Sequence, residues 1–411
     1  MGTVIKEKCC WREIMNVCTI VYSFYETDTR VRMYAEALAQ RGDNVDAIAL
    51  KGGCLPDHEI INGVHVYRIQ ERIRNEKGKF SYLARLLRFL VGSAAFVSKK
   101  HLAERYDLIH VHSVPDFEVF AALIPKLTGA KVILDIHDIV PEFYASKFNV
   151  NRQSAIYIAL KLLEKISVGF SDHVIIANHI WEKTLVARSA CAEKCTTFLN
   201  YPNRSVFRFT PGALNGKRLL VLYPGSLNWH QGLDIAIKAF AIASKKLPDA
   251  RFDIYGEGPA KGALKRLIED LDLQEKVRLN GFLPLEQIVK KMAEATIAVV
   301  PKRNDSFGGE AFSTKVFEFM ALGVPVILSK TKIDQYYFND SVVQFFEPEN
   351  YRELADALAS LALDENRRQT LANNALKFID GLSWQNKKFD YYSLVDKLLG
   401  KSSPHAYAGR A

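Results

Sequence analysis

The most constraining feature of this chain is an alternation that runs twice. Short apolar, β-branched runs take turns with segments of helical period, which is the pattern of α/β layers around parallel sheets. In the first half, strands are expected at 17–22, 45–50, 64–68, 108–112, 131–134 and 173–177, and helices near 30–41, 80–103, 117–127 and 155–170. Val132-Ile133-Leu134 is apolar at every position, as in a strand buried on both faces. The pattern breaks at Asn200-Tyr201-Pro202-Asn203, and Thr210-Pro211-Gly212 and Asn215-Gly216 come after it with turn chemistry, so a linker is expected there. It restarts with strands at 219–223, 251–255, 276–279, 297–301 and 324–328 and helices at 233–246, 262–271, 285–293 and 315–322, and from Tyr351 it reads as helices. The expectation is two doubly wound halves, 1–205 and 206–382, with ligands held where the carboxyl ends of their strands face a shared cleft.

Composition narrows the function classes. No apolar stretch approaches the length of a membrane span, and residues 1–13 lack the apolar core of a signal peptide, so a cytoplasmic chain is expected. Cys9, Cys10, Cys18, Cys54, Cys191 and Cys195 fit no zinc spacing and are read as reduced thiols. The net charge of +9 is uneven: nine Lys/Arg stand against two Glu between Arg72 and Arg105. There Leu83, Leu86, Leu87 and Phe89 interleave with Arg85, Arg88, Lys99 and Lys100, so segment 72–105 is a candidate peripheral membrane contact, or else a domain helix with a solvated basic face. No nucleic-acid motif accompanies the charge, and no nucleic-acid partner is expected. The first strand is followed by Ser23-Phe24-Tyr25-Glu26-Thr27-Asp28, not by a Gly-x-Gly-x-x-Gly turn, so no nicotinamide or flavin cofactor is expected.

The chemistry concentrates in residues 301–326. A buried strand leads into a Gly-rich loop, then a helix that Ser313 or Thr314 could cap, then the turn Gly323-Val324-Pro325 into another strand. Free amides at a helix start attract anions such as a diphosphate. Lys315 and Glu318 are three apart on one helical face, suited to phosphate and to ribose hydroxyls respectively; an ordinary surface ion pair is the plainer alternative. A second candidate is Tyr223-Pro224-Gly225-Ser226 through Gln231-Gly232, where Gly225 would let a phosphate approach the backbone. A third is Tyr255-Gly256-Glu257-Gly258-Pro259, and in the first half Asp135-Ile136-His137-Asp138 with Glu142 directly succeeds a buried strand. No Asp-x-Asp stands after a strand, so no metal site is expected.

Segment 301–326 resembles the signature of the family-4 (group 1) retaining glycosyltransferases, which have the GT-B fold of two Rossmann-like domains. Glu310 and Glu318 keep the family's two-glutamate spacing, and Gly323-Val324-Pro325-Val326 matches the Gly-x-Pro-Val that ends its motif. The sequence departs from the pattern at Ala311-Phe312-Ser313-Thr314, where Gly-Phe-Gly-Leu is usual, and at Ser226 and Gln231, where the family has Arg and Lys on the diphosphate. The resemblance implies transfer of a sugar from a nucleotide sugar, with UDP or GDP undecided and the donor a substrate, no cofactor being needed. It implies catalytic roles for His137 and Glu310, donor contacts at Gly225, Ser226, Gln231, Gly256, Lys315 and Glu318, and acceptor-side contacts at Asp28, Arg30, Asp138 and Glu142. Lys315, Lys302 or Arg303 would replace the missing cations. The acceptor would be a sugar or lipid-linked sugar, attacked on the face that the diphosphate leaves, and residues 383–411 would carry a helix crossing back onto the first domain. Two other readings stay open: a non-catalytic glycosyltransferase-like partner subunit, and a sugar phosphorylase or epimerase on the same fold.

Overall fold

The computed structural model describes residues 13–72, 79–148, 150–210 and 219–401. Residues 1–12 with Cys9 and Cys10, Arg74 and Lys77 of the basic segment, and Pro211, Gly212, Asn215 and Gly216 of the expected linker lie outside the described residues.

The first sheet has eight strands: β1 (Asn16–Val21), β2 (Asn44–Lys51), β3 (His58–Ile61), β4 (Val64–Glu71), β5 (Leu108–His112), β6 (Lys131–Ile136), β7 (His173–Ile176) and β8 (Cys195–Thr197). Their order is β3-β4-β2-β1-β5-β6-β7-β8, and every pairing is parallel except β3 with β4. The helices are α1 (Thr29–Gln40), α2 (Lys79–Ala103), α3 (Leu123–Leu127), α4 (Val140–Phe148), α5 (Ala155–Phe170) and α6 (His179–Arg188). The six-stranded second sheet, order β11-β10-β9-β12-β13-β14, is parallel throughout: β9 (Leu220–Pro224), β10 (Arg251–Tyr255), β11 (Val277–Asn280), β12 (Ile297–Val300), β13 (Val326–Ser329) and β14 (Gln344–Phe346). Around it lie α7 (Leu233–Ala243), α8 (Lys261–Asp270), α9 (Leu285–Glu294), α10 (Thr314–Ala321), α11 (Lys332–Tyr337), α12 (Tyr351–Leu363), α13 (Glu365–Asp380) and α14 (Trp384–Leu398).

The helix expected over 117–127 is two pieces, a 3₁₀ stretch at Asp116–Ala122 and then α3. Pro125 explains the restart: it has no N–H and its ring excludes the carbonyl four residues back, so it is accommodated only in a first turn. Sequence reading passed over β3, β8 and β14, which are four residues or fewer, and α4, α6 and α11.

The last helix does cross back. Tyr391 and Tyr392 of α14 are buried against the first domain, where Tyr391 Oη lies 2.9 Å from His110 Nδ1 and Tyr392 Oη donates to the Ala37 carbonyl at 2.7 Å. Trp384 packs edge-on to Tyr34 of α1, and Asp396 pairs with Arg41 at 3.0 Å. One apolar core therefore runs from the α1 side of the first sheet through α14 into the second domain.

Candidate active site

The carboxyl ends of both sheets open onto a cleft with three lobes of about 400, 450 and 280 Å³. Thr314 lines all three, Lys315 two and Glu318 two, so the first turn of α10 is their common wall. Ser313 occupies the N-cap position, yet its hydroxyl makes no cap bond and is buried without a partner. The side-chain cap expected from the sequence is therefore absent, and the amide dipoles of the first turn are left for an anion.

Facing α10 are two tight turns at the ends of β9 and β10. Gly225 has φ 138°, and a Cβ there would collide with Lys315 Cε. Gly256 has φ 143°, and its Cβ would collide with the Gly225 carbonyl oxygen. Glycine is what lets the two turns stack and the lysine lie across them. Lys315 Nζ is 3.5 Å from Gln231 Oε1, and that oxygen is 3.0 Å from Tyr223 Oη, which also lies 3.0 Å from the Ser226 carbonyl. Gln231 thus positions a cation instead of supplying one. Phe282, 68% exposed, and Leu283 give the same lobe an apolar wall.

The three candidate replacement cations separate cleanly. Lys302 is buried in an ion pair with Asp334 at 2.9 Å and donates to the Ala311 carbonyl. Arg303 grips both oxygens of Asp234 and stacks over Trp229. Lys315 has no carboxylate within ion-pairing distance among the described residues. Its side chain is enclosed by the cleft: burial lowers its pKa to about 8, with Glu318 opposing and Lys302 reinforcing the shift. Burial likewise raises Glu318 to about 7, against the pull of Lys315.

Across the cleft, His137 sits on a network rooted in β6. Asp135 is fully buried and takes Arg30 on both oxygens, at 2.7 and 2.8 Å. Its Oδ2 also lies 3.0 Å from His112 Nδ1 and 3.1 Å from His137 Nε2. Burial opposes the charge on Asp135, but Arg30, His137 and the hydrogen bonds from both imidazoles hold its carboxyl well below the ordinary carboxylate range. An ionised carboxylate only accepts, so His137 Nε2 must carry a proton, and Nδ1 is the ring atom left for a ligand. His110, His112 and Asp135 are close enough to hold a metal ion, but Asp135 is already held by Arg30 and His110 Nδ1 by Tyr391.

The structure gathers most of the residues expected from sequence. Asp28, Arg30, His137 and Glu318 line one lobe; Gly225, Ser226, Gly256, Lys315 and Glu318 line the second; Asp138, Gln231 and Lys315 line the third. Asp28 is also the N-cap of α1, accepting from the Val31 amide at 3.2 Å. Three of the expected residues are engaged away from a free cleft position. Arg30 presents no free head to an acceptor: Asp135, the Phe198 carbonyl and Asn200 take its guanidinium. Glu142 turns into the first domain, where Arg188 and Tyr157 bond its carboxylate. Glu310 lines none of the three lobes; Lys332 pairs with it at 2.6 Å, and its carbonyl accepts from Asn178 of the first domain. Sequence reading missed Asp135 as the anchor of His137, and it missed His112 and Tyr223. The signal for His112 was available: His110 and His112 alternate at a strand's carboxyl end and so share a face.

Two parallel-sheet domains facing a cleft, tied by a terminal helix that returns to the first, make this a GT-B protein. Residues 27–200 match the glycosyl transferase 4-like domain and residues 208–378 match the glycosyl transferases group 1. The chain belongs to the group 1 glycosyltransferases. It is 24% identical over 402 residues to an uncharacterized glycosyltransferase of Methanocaldococcus jannaschii, covering 89% of this chain and 94% of that one. Among solved structures, sucrose-phosphate synthase from Thermosynechococcus elongatus matches with a TM-score of 0.77 at 19% identity, over 94% of this chain and 100% of that one. Anabaena HepE in complex with UDP-glucose matches at 0.70 and 15% identity, over 93% and 100%. At these identities the solved structures speak to the fold.

Proposed function

We propose that this enzyme moves a sugar from a nucleoside-diphosphate sugar to a hydroxyl of a glycan or lipid-linked sugar acceptor, with retention at the anomeric carbon and without a divalent metal. The observation that carries the reading is Lys315: a cation without a carboxylate partner among the described residues, laid across Gly225 at the uncapped start of α10. A diphosphate seated there meets the helix amides, the Ser313 hydroxyl and the Lys315 ammonium. These groups are fixed before reaction, which is how an enzyme stabilises a leaving group as charge develops on it. Glu318, one turn further along, accepts from ribose hydroxyls, and Phe282 and Leu283 offer the base an apolar wall. HepE binds UDP-glucose, which makes UDP-sugars the first donors to try.

The transferred sugar then projects toward His137, whose Nδ1 accepts from one of its hydroxyls, and the acceptor enters through the lobe lined by Asp28. The acceptor oxygen bonds to the anomeric carbon as the bond to the diphosphate oxygen breaks, on the same face. A phosphate oxygen of the departing diphosphate takes the acceptor's proton. The reading assigns no nucleophile to the protein and leaves Glu310 in its pair with Lys332. Proton NMR of the first-formed product, with EDTA present, tests it. Retained anomeric configuration at an undiminished rate is expected; an inverted product, or activity that returns only with a divalent cation, contradicts it.

A further inference from the structure

Two helices of the first domain turn large apolar side chains outward. On α5 the buried side is mixed: Glu164 and Ser167 are buried along with Tyr157 and Val168, and Glu164 pairs with Arg188. The water-facing side carries Ile158, Leu162 and Ile166 at successive four-residue steps, 59%, 58% and 49% exposed. On α2, Leu87, Val91 and Leu102 are exposed in the same way, and α3 adds Leu127. These helices form one layer, because α2 and α5 both pack on the 3₁₀ stretch Asp116–Ala122 and α2 also packs on α3. Single exposed apolar residues are ordinary, but this many large ones on neighbouring helices mark an interaction surface.

Charge selects the cover. Neither α2 nor α3 contains an acidic residue, and the single acid of α5 is the buried Glu164. Cations border the apolar stripe: Arg88, Lys99, Lys161 and Lys165. Lys161 and Lys165 have no carboxylate partner among the described residues. A second copy of the chain would press this rim against an identical positive rim, whereas an anionic bilayer meets both the apolar and the basic requirement. Among the described residues no helix is long and apolar enough to cross a membrane, so these helices suit docking in the plane of the interface.

We propose that the outer face of α2, α3 and α5 is a docking surface for an anionic lipid bilayer, with the Ile158, Leu162 and Ile166 stripe of α5 as its main apolar contact. The inference extends the contact expected at 72–105 to two helices outside that segment, and it does not depend on the reaction assigned to the cleft. It would also have a use there, since α4 and a short segment connect α5 to the loop that carries His137 and Asp138.

The test is flotation of the full chain with vesicles of phosphatidylcholine alone and of phosphatidylcholine with phosphatidylglycerol. The variants are Ile158→Glu/Leu162→Glu, Lys161→Ala/Lys165→Ala and, as a control on α7 of the second domain, Ile242→Glu; circular dichroism and melting temperature establish that each is folded. The wild type and Ile242→Glu should float with the anionic vesicles and far less with the neutral ones. Each α5 double variant should bind the anionic vesicles about tenfold more weakly or worse. Failure of the wild type to float, equal binding to neutral vesicles, or full binding by the folded Ile158→Glu/Leu162→Glu variant overturns the proposal. So does a wild-type dimer that this variant dissociates, since the covering partner would then be a second copy.

Discussion

Arg30 shows how a residue read as facing the acceptor can act from behind the site. Its guanidinium neutralises Asp135, and Asp135 in turn fixes which nitrogen of His137 is protonated. Arg30→Ala leaves a buried carboxylate unpaired and should cost about 3–5 kcal/mol of stability, read by denaturant titration; a cost under about 1 kcal/mol would mean that Asp135 finds another partner. Lys315 gives a prediction in pH. With its pKa lowered to about 8, the free enzyme loses the ammonium as pH rises through that value, so kcat/KM for the donor should fall on the alkaline side. Lys315→Arg keeps its charge throughout that range and should abolish the alkaline limb even if its overall rate is lower. An unchanged limb would assign it to another group. That Lys315 and Glu318 share one helical face was legible from their spacing, and both line the same lobe. That Lys302 and Arg303 are consumed was not legible, because Asp334 and Asp234 lie far from them in sequence and only the fold brings them together.

At the scale of elements, the strands were legible because parallel strands buried on both faces are apolar throughout, and sequence patterning carries that directly. Short edge strands such as β3 carry too little of the pattern: three of its four residues are exposed. Glycine turns are the other legible feature, and their role is testable. Gly256→Ala introduces a Cβ into the Gly225 carbonyl at a backbone angle that side chains avoid. It should destabilise the second domain by about 1–3 kcal/mol or more and abolish donor binding together with stability; a stable variant with normal donor affinity would show that the two turns can separate. The 3₁₀ stretch adds a pH dependence. Glu118 is buried and burial raises its pKa to about 8, opposed by Ser93. The folded state therefore binds a proton that the unfolded chain has released above its ordinary pKa, so this group's contribution falls as pH rises from about 4.5 to 8. Melting at pH 5 and pH 8 should show a loss that Glu118→Gln reduces; an equal loss in the variant would place the dependence elsewhere.

At the scale of the molecule, the two domains face each other because α14 ties them: it leaves the second domain and buries Tyr391 and Tyr392 on the first. Tyr391→Ala should cost about 3–5 kcal/mol and raise the KM for the donor, since a loosened clamp spreads the cleft. The two-domain plan and the returning helix could be anticipated from the repeated alternation and the family resemblance. The rooting of His137 could not, because it assembles β5, β6, α1 and α14 from residues up to 281 positions apart. In the proposed reaction the α10 wall holds a nucleotide-sugar donor for transfer. The most direct test of that role is nucleoside diphosphate release from UDP-, GDP- and ADP-sugars, with and without membrane extract, by the wild type, Lys315→Ala and Glu318→Ala. Extract-stimulated release from one donor, lost in both folded variants, is the predicted result. Silence across the panel, with no donor bound by the folded wild type, would contradict the account and make the chain a non-catalytic partner.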